Sequence, residues 1–366
     1  MTTQAIYQRE KLRQLGEILG HEPKKILLLC HTNPDGDAVG SVLAWRRYLE
    51  RLGHTTMCIA PNRYPYFLEW MRDIAYINVF KEDTDGEQAR FVARADVIFC
   101  MDFNLIGRLE KLSDAVAANT TARRVLIDHH LSPPAEEYDL LFSDAQASST
   151  SYIVYRILEE MEGTDAIDVN MAESLYVGFM TDTGNFSFSN LDSDLFRAVA
   201  VLIDKGINVP YINSAVYNNF SEWRVRLLGY LLHEKMVTDF EYGTAYMGLT
   251  EEEMRRFNFK AGDSEGFVNY PLSIRGINMS ALFSENSGKY IRVSLRSRGN
   301  IDVNVFARRY FNGGGHRNAA GGKSFLPMKE TLDHFRSAVK EYFGGDGNNG
   351  NNGTADPSAL MPELTK

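Results

Sequence analysis

Short apolar runs alternate with helical stretches through the first half of this chain, and that alternation limits the folds open to it. Four runs have the length and apolar content of buried strands, at residues 25–30, 55–60, 97–101 and 124–127. Apolar periodicity between and after them predicts helices at residues 37–52, 149–162, 169–181 and 192–205. Strands that alternate with helices form a mostly parallel sheet with helices on both faces. We therefore predict an α/β fold for residues 1–205.

A different pattern begins near residue 206 and predicts a second, smaller α/β domain. Residues 206–238 have the features of a helical connector, with aromatic side chains and no clear strand. Strands are predicted at 244–249, 277–283 and 290–296, helices at 251–257, 302–311 and 328–343, and a glycine turn at 313–315. The second domain is thus predicted to span residues 239–343. The remainder, 344–366, is rich in Asn and Gly and is expected to be disordered.

The charge balance argues against a general binder of long nucleic acid. The chain has 366 residues, of which 39 are Lys or Arg and 48 are Asp or Glu, so its net charge is -9. Binding to a long nucleic acid backbone depends on clustered Lys and Arg that release counterions. A short anionic substrate held by a few local cations and metal ions remains compatible with this composition, whereas long duplex nucleic acid is not expected as a partner.

Nothing in the sequence predicts contact with a membrane. No apolar run approaches the roughly 18 residues of a spanning helix, and the first twenty residues lack an apolar signal core. The three cysteines lie in or beside apolar strand-like runs and are expected to be reduced and buried. We expect a cytoplasmic protein, and the sequence leaves its oligomeric state open, a homodimer included.

The segment His31-Thr-Asn-Pro-Asp35-Gly-Asp37 follows the first predicted strand and opens a helix. In parallel α/β sheets, ligands gather beyond the carboxyl ends of the strands. One His and two Asp within seven residues place three candidate metal ligands on one loop. The alternative is structural, because Asp residues at this position also cap helices.

Three further segments carry similar residues. Asp102 follows the third strand, and Asp128, His129 and His130 end the fourth. Asp182 ends an apolar helical stretch, where a helix-terminal turn is the structural alternative. A single Asp at a strand end is weak evidence because turns often begin with Asp. A His pair beside an Asp is rarer, since His is a common metal ligand and acid or base.

Taken together, these segments are expected to gather seven polar side chains at comparable edges of one sheet: His31, Asp35, Asp37, Asp102, His129, His130 and Asp182. That set suits two divalent ions. Carboxylate and imidazole ligands without a thiolate favour Mn²⁺, with Mg²⁺ or Co²⁺ as alternatives. Two such ions can activate water and stabilise both the attacking and the leaving oxygen of a phosphoester.

The second domain contains candidate phosphate-binding groups. Glycines 313–315 precede His316, and bare glycine backbone lets N–H groups approach an anion closely. Arg296 and Arg298 alternate with other residues, so they are predicted to share one strand face, and a guanidinium grips phosphate well. A flexible glycine turn and a solvated strand edge are the structural alternatives.

The combination of HTNPDGDAVGS at 31–41, Asp102, DHH at 128–130 and TDTG at 181–184 resembles the DHH phosphoesterase superfamily. RSRG at 296–299 and GGGHRNAAGG at 313–322 resemble its DHH-associated C-terminal domain. The resemblance spans about residues 20–343, and it is greatest to the group of nanoRNases and pAp phosphatases. Those two-domain enzymes degrade RNA of a few nucleotides and remove the 3′-phosphate from 3′-phosphoadenosine 5′-phosphate.

The resemblance implies a role for each matching residue. His31, Asp35 and Asp102 would hold one metal ion, and Asp37, His129 and Asp182 the other, with Asp102 bridging the two. His130 would contact the scissile phosphate, and Asp128 would orient a histidine. In the second domain, phosphate would be anchored by Arg296, Arg298, His316 and the backbone of Gly314 and Gly315. Residues 1–205 would then be catalytic and 239–343 substrate-binding, with substrate in the cleft between them.

Three other functions remain open on the sequence alone. A phosphodiesterase acting on linear or cyclic dinucleotides could use the same site. A RecJ-like exonuclease on single-stranded DNA would need an additional binding module, for which the chain has neither spare length nor a basic stretch. A nucleotide-binding sensor is the alternative without catalysis, although it would not need seven metal-site residues.

Overall fold

A computed structural model describes residues 9–187, 190–286 and 288–344. The chain divides between Asn219 and Phe220 into two compact units, which we call the first unit and the second unit. The helices of the predicted connector, residues 206–238, are shared between the two units. Apart from Gly344, the predicted tail at 344–366 lies outside the described residues.

The first unit contains a sheet of six parallel strands in the order β3-β2-β1-β4-β5-β6. The strands are β1 (Lys25–Leu29), β2 (Thr55–Ala60), β3 (Ile77–Val79), β4 (Val97–Met101), β5 (Arg123–Asp128) and β6 (Leu140–Ser143). The order reverses between β1 and β4, and such a reversal opens a crevice beyond the carboxyl ends of the two strands. The four predicted strands are confirmed. The edge strands β3 and β6 were not predicted because three or four residues carry too little periodic signal.

Eight α-helices lie in the described part of the first unit: α1 (Arg9–Leu19), α2 (Gly36–Arg51), α3 (Glu87–Val92), α4 (Leu112–Ala118), α5 (Thr150–Glu162), α6 (Val169–Asp182), α7 (Ser193–Asp204) and α8 (Val209–Tyr217). Helices α3 and α4 cover one sheet face, where Val92 and Leu112 pack against strand residues such as Leu27. On the other face, Trp45 of α2 meets Phe99 of β4 edge-on, with ring centroids 5.6 Å apart. The predicted parallel sheet with helices on both faces is confirmed.

Helices α2, α5 and α6 approach one another closely through two glycines. A Cβ on Gly40 of α2 would collide with the backbone oxygen of Ser174 in α6. A Cβ on Gly178 of α6 would lie 2.5 Å from Ser151 Cβ in α5 and 2.7 Å from Asp37 Oδ1 in α2. The absence of side chains at these two positions therefore allows three helices to meet beside the carboxyl edge of the sheet.

The second unit is built on a mixed six-stranded sheet in the order β11-β12-β10-β9-β8-β7, in which only the β8–β9 pairing is parallel. The strands are β7 (Val237–Asp239), β8 (Thr244–Leu249), β9 (Met279–Asn286), β10 (Tyr290–Ser297), β11 (Gly314–Gly315) and β12 (Ala319–Ser324). Its α-helices are α9 (Glu222–Tyr230), α10 (Glu251–Arg256), α11 (Val303–Tyr310) and α12 (Met328–Gly344). One face packs against Phe306 of α11 and Phe335 of α12. The smaller α/β domain predicted from the sequence is confirmed in its fold class.

Three local predictions in this half of the chain were wrong or incomplete. The stretch 210–238 contains α8, α9 and a π-helical turn at Leu231–Lys235, but it also contains β7, for which we saw no strand signal. The predicted glycine turn at 313–315 includes the short strand β11, which pairs with β12. Strand β12 (AAGGKS) was missed because glycine and small residues resemble a loop in sequence.

None of the helices in the described part of the chain combines the length and apolarity that crossing a bilayer requires.

Candidate metal centre

The predicted ligands of the first unit gather where the strand order reverses. His31 lies two residues beyond β1, and Asp102 follows β4 directly. Asp102 is 2% exposed and has a φ of 62°, in the left-handed region that non-glycine residues seldom adopt. Backbone strain of this kind persists where the surrounding structure enforces it, often at functional sites. The turn at Asp102 thus ends β4 and buries a carboxylate in the crevice.

The two carboxylates at the start of α2 have different partners. Asp35 is the N-cap of α2, and its Oδ1 accepts hydrogen bonds from the N–H groups of Asp37 and Ala38. The capping role considered from the sequence is therefore present, and it leaves Oδ2 available for another partner. Asp37 is fully buried, and its two oxygens accept hydrogen bonds from the N–H groups of Thr150 at 2.7 Å and Ser151 at 2.8 Å. Those groups form the N-terminus of α5, where the helix dipole stabilises a negative charge.

One group of candidate ligands consists of His31, Asp35 and Asp102, with ligand atoms within 4.8 Å of one another. His31 Nε2 lies 3.3 Å from Asp102 Oδ2. Its other ring nitrogen, Nδ1, lies 2.9 Å from the backbone oxygen of Thr32. With Nδ1 donating to that oxygen, Nε2 faces Asp102, where it can donate a proton to the carboxylate or, once that proton has left, offer its lone pair to a cation, as metal-binding histidines do.

A second group consists of Asp37, His129 and Asp182, again within 4.8 Å. His129 Nε2 lies 3.3 Å from Asp182 Oδ2 and 3.4 Å from Asp102 Oδ1. Asp102 therefore directs one oxygen toward each group. Asp182 is the last residue of α6 and joins this group from a helix end, in keeping with the apolar helical stretch that precedes it in the sequence.

Asp128 and His130 form a pair beside these groups. His130 Nδ1 lies 2.7 Å from Asp128 Oδ1, and Asp128 is fully buried at the end of β5. His130 Nε2 lies 3.2 Å from a guanidinium nitrogen of Arg108. Because a guanidinium can only donate, Nε2 is the acceptor in this contact and Nδ1 carries the proton toward Asp128. Asp128 thereby sets both the tautomer and the orientation of His130.

Burial and mutual repulsion perturb the acid–base properties of the cluster. Burial, together with the carboxylates of Asp102 and Asp182, raises the pKa of Asp37 well above its usual range. Burial disfavours the charged forms of Asp102 and His129, but hydrogen bonds and nearby opposite charges have the larger effect on both pKa values. Hydrogen bonds from His129 and His31 hold the pKa of Asp102 well below its usual range, and Asp182 and Asp102 raise the pKa of His129.

The spacing of these atoms fits divalent cations. Two ligand atoms about 2.1 Å from one ion lie roughly 3.0–3.4 Å apart when they subtend 90–110° at it. The His–Asp separations of 3.3–3.4 Å fall in that range. The cluster also brings four carboxylates together, and a cation in each group would offset their repulsion. Oxygen and imidazole donors without sulfur are the set expected for Mn²⁺ or a similar ion.

In the second unit, the predicted phosphate-binding residues lie on neighbouring segments. Arg296 of β10 pairs with Ala319 of β12, which follows His316 by three residues. Arg298 lies one position beyond the end of β10, so it does not share the regular strand alternation that we assumed. The N–H of Gly315 donates to Asn304 Oδ1 at 3.0 Å, which removes it from the predicted set of free phosphate donors.

Comparisons with known proteins match both halves of the chain. The model of the DHH family N-terminal domain matches residues 25–179, and the model of the DHHA1 domain matches residues 242–345. A Bacillus subtilis protein named bifunctional oligoribonuclease and PAP phosphatase NrnA is 32% identical, over 82% of this chain and 89% of that one. The chain belongs to the DHH family. The resemblance inferred from its motifs is confirmed.

Two further relatives cover nearly the whole of this DHH protein. A Thermus thermophilus protein with the same name, bifunctional oligoribonuclease and PAP phosphatase NrnA, is 25% identical over 91% of this chain and 94% of that one. The crystal structure of an exopolyphosphatase-related protein from Bacteroides fragilis superposes with a TM-score of 0.86 at 36% identity. It covers 93% of this chain and 98% of the other.

Sequence reasoning missed three residues that contribute to the centre of this DHH protein. Arg108 contacts His130 from a turn after β4, and a lone Arg in a loop gives no sequence signal. Thr150 donates its hydroxyl to Asp102 Oδ1 at 3.0 Å, while its N–H and that of Ser151 bind Asp37. The run Ser148-Ser-Thr-Ser151 before an apolar helix does predict a helix start, but not that the helix start holds two carboxylates.

Proposed function

We propose that this DHH protein is a divalent-metal-dependent phosphodiesterase that hydrolyses short RNA oligonucleotides and removes the 3′-phosphate from 3′-phosphoadenosine 5′-phosphate. One observation carries the proposal: two groups of three ligand atoms lie side by side, with the two oxygens of Asp102 directed one toward each. Membership of the DHH family supports a hydrolase acting on phosphodiester bonds. The substrate is proposed from the names of the two NrnA relatives.

Each group would hold one divalent ion, with Mn²⁺ favoured and Mg²⁺ or Co²⁺ as alternatives. Such ions activate water and neutralise the charge that develops on a phosphoester. His31, Asp35 and Asp102 would bind the first ion, and Asp37, His129 and Asp182 the second, with Asp102 shared. The N-terminus of α5 would keep Asp37 in place whether or not an ion is bound.

The protein's own groups would then act on the phosphate. Held by Asp128, His130 presents Nε2 next to Arg108, where the two side chains can contact a non-bridging or leaving oxygen. Arg108 carries the fixed positive charge and donors that suit phosphate. We propose that His130 contacts the scissile phosphate, donating from Nε2 when both ring nitrogens carry a proton, and that Asp128 is the residue that positions it.

The second unit is proposed to bind substrate, with Arg296, Arg298, His316 and Gly314 as phosphate anchors. A few cations grouped in one region suit a short anionic substrate, in a chain whose net charge is -9. The proposal includes catalysis within residues 1–205, substrate binding within 239–343 and a cytoplasmic location. Three cysteines that are free and buried are compatible with a reducing compartment.

A substrate series tests the proposed function. Mn²⁺-dependent hydrolysis would be measured on RNA of two, three, five and twenty-four nucleotides, on matched DNA, on a cyclic dinucleotide and on 3′-phosphoadenosine 5′-phosphate. We expect fast loss of the shortest RNAs together with phosphate release. Preference for the long DNA strand would favour a RecJ-like exonuclease, and preference for the cyclic dinucleotide would favour a dinucleotide phosphodiesterase.

The Asp102→Ala variant tests the metal site in the same assay. We expect turnover to disappear, because both groups lose a ligand at once. Asp114→Ala provides the matched control, since Asp114 is an exposed carboxylate on α4 in the same unit. Unchanged activity in Asp102→Ala would refute the two-metal proposal, whereas loss of activity in both variants would point to damage unrelated to the metal site.

A further inference from the structure

Strands β10 and β12 of the second unit carry exposed side chains beyond the proposed phosphate anchor Arg296. Along β10, Ile291, Val293 and Leu295 are buried in the core. Because side chains alternate along a strand, the residues between them point to the opposite side. Those residues are Tyr290, Arg292, Ser294 and Arg296. Strand β10 thus carries an aromatic ring and two arginines along one side.

Strand β12 contributes to the same face. Its antiparallel register places Lys323 opposite Arg292 and Gly321 opposite Ser294. Arg292 and Lys323 are both exposed, and Gly321 adds no side chain between the strands. Residues directly opposite in an antiparallel pair project from the same face, so these two cations stand side by side.

The outer end of this face is aromatic. The rings of Tyr290 and Phe325 meet edge-to-face with centroids 6.4 Å apart, and Lys323 Nζ lies 4.9 Å from the Tyr290 ring. Phe325 is 72% exposed, the highest value among the exposed large hydrophobic residues of the described chain. We call Tyr290, Arg292, Lys323 and Phe325 the β10–β12 stripe.

We propose that the β10–β12 stripe binds single-stranded RNA, namely the nucleotides of a longer substrate that continue beyond the phosphate held near Arg296. Arg292 and Lys323 supply charge for backbone phosphates, and an exposed Phe beside a Tyr supplies planes on which bases stack. Positive charge with interleaved aromatic rings is how proteins hold single strands without reading their sequence. The inference rests on the proposed function, because it takes RNA as the substrate.

The dimensions suit a few nucleotides. Arg296 and Tyr290 are six positions apart on β10, which corresponds to roughly 20 Å at the usual rise of a strand. About six nucleotides fit that length at the 3.4 Å spacing of a helical strand, and fewer fit when the strand is extended. The stripe would therefore matter for RNA longer than the shortest oligomers and would leave a dinucleotide unaffected.

The stripe also explains why the sequence predicted no surface for longer strands. That prediction depended on the absence of a basic run, and Arg292 and Lys323 are 31 positions apart in the chain. Only the β10–β12 register brings them together. The cations are thus concentrated locally, although the whole chain is acidic.

The test compares two double variants on two substrates. Arg292→Ala with Phe325→Ala removes one cation and one ring from the stripe. Arg255→Ala with Phe240→Ala is the matched control, because it removes an exposed cation and an exposed aromatic ring elsewhere in the second unit. Binding of a labelled twelve-nucleotide RNA would be followed by fluorescence anisotropy, and Mn²⁺-dependent hydrolysis of a dinucleotide would be measured in parallel.

We expect the stripe variant to bind the twelve-nucleotide RNA about tenfold or more weakly, which is the loss expected for one stacked base. The slope of log affinity against log salt should also fall by about 1, because one phosphate contact is removed. Dinucleotide hydrolysis should be unchanged, and the control variant should behave like the natural chain.

Equal RNA affinity in the stripe variant and the control would overturn the inference. So would a parallel loss of dinucleotide hydrolysis in the stripe variant alone, because the residues would then belong to the catalytic machinery. Failure of the natural chain to hydrolyse any RNA would instead refute the proposed function. The anisotropy measurement does not depend on hydrolysis, so the two failures can be told apart.

Discussion

Replacing Gly178 with Ala should disturb the metal centre without replacing any proposed ligand. An added Cβ would lie 2.5 Å from Ser151 Cβ and 2.7 Å from Asp37 Oδ1, whereas ordinary contacts begin at 3.4 Å. The two neighbours would have to retreat by 0.9 and 0.7 Å, respectively. Neither can do so by rotating a side chain alone, because Ser151 Cβ is fixed to α5 and both oxygens of Asp37 are held by that helix.

Three contributions set the expected change in the free energy of unfolding, two of them unfavourable and one favourable. Overpacking at a site with so little room costs about 3 kcal/mol. Straining the hydrogen bond that the Ser151 N–H donates to the Asp37 carboxylate costs about 2 kcal/mol, the usual size for a hydrogen bond to a charged group. The better helix propensity of Ala offsets about 1 kcal/mol. The net loss in the free energy of unfolding is about 4 kcal/mol, and at roughly 2–4 °C per kcal/mol the first unit should melt about 8–16 °C lower.

Thermal denaturation and Mn²⁺ titration calorimetry would measure the two consequences. Displacing Asp37 should weaken Mn²⁺ binding about 10–100-fold, the usual effect of disturbing the groups that support metal ligands. Gly16→Ala in α1 is the control, because a Cβ there would meet nothing within 4 Å. It should leave Mn²⁺ binding unchanged and raise stability by up to about 1 kcal/mol. If Gly178→Ala melted like Gly16→Ala and bound Mn²⁺ normally, the close packing of α2, α5 and α6 would not be what holds Asp37.

Three further changes have definite expected outcomes. Thr150→Val removes the hydroxyl donor to Asp102 at nearly constant volume and should weaken Mn²⁺ binding about 10–100-fold by calorimetry, while Thr150→Ser should largely restore it. His316→Gln should raise KM more than it changes Mn²⁺ affinity, and loss of the metal ions instead would contradict the role proposed for the second unit. Without metal, the free energy of unfolding should fall as the pH rises above 3.8, the usual pKa of Asp, toward the raised pKa of Asp37. It should fall again as the pH rises above 6.5, the usual pKa of His, toward the raised pKa of His129. In both cases the folded state binds the proton more tightly than the unfolded chain does, so stability is lost as the proton leaves. Melting curves between about pH 5 and pH 8 in a chelator should show that decline, and Mn²⁺ should reverse it.

Strand-end chemistry in the first unit could be predicted because it depends on local sequence. A buried parallel strand is a continuous apolar run, and the polar residue that follows it lies at the carboxyl edge, which identified His31, Asp102 and His129. The order of the strands was not predictable in this way. That β1 lies beside β4 follows from long-range pairing, and only this pairing brings His31 within 3.3 Å of Asp102.

Side chains whose role depends on another helix left no local signal. Thr150 and Ser151 look like an ordinary helix start, and Gly178 looks like a tolerated glycine in an apolar helix. Their importance arises where α5 and α6 meet Asp37. In the second unit, β12 was missed for a related reason. The small residues of β12 allow neighbouring segments to approach closely, and they do not form the apolar face by which a strand is recognised in sequence. At Gly322, for example, an added Cβ would lie 2.9 Å from Phe311 Cβ.

The same geometry implies that metal binding and folding are coupled in the first unit. Asp37 and Asp102 are buried, and their neighbours Asp35 and Asp182 add further negative charge. The protonated histidines offset part of this negative charge at low pH, and the N-terminus of α5 offsets part of it at any pH. At neutral pH the remaining repulsion opposes folding until cations enter. A ligand that binds only the folded state stabilises it by an amount that grows with the logarithm of its concentration over Kd. Protons compete with Mn²⁺ for these ligands, so Mn²⁺ binds more tightly as the pH rises, and the Mn²⁺-dependent rise in melting temperature should be larger at pH 8 than near pH 5. An equal rise at both pH values would mean that the carboxylates are already balanced without metal, and that Asp37 and His129 do not carry the protonation changes assigned to them.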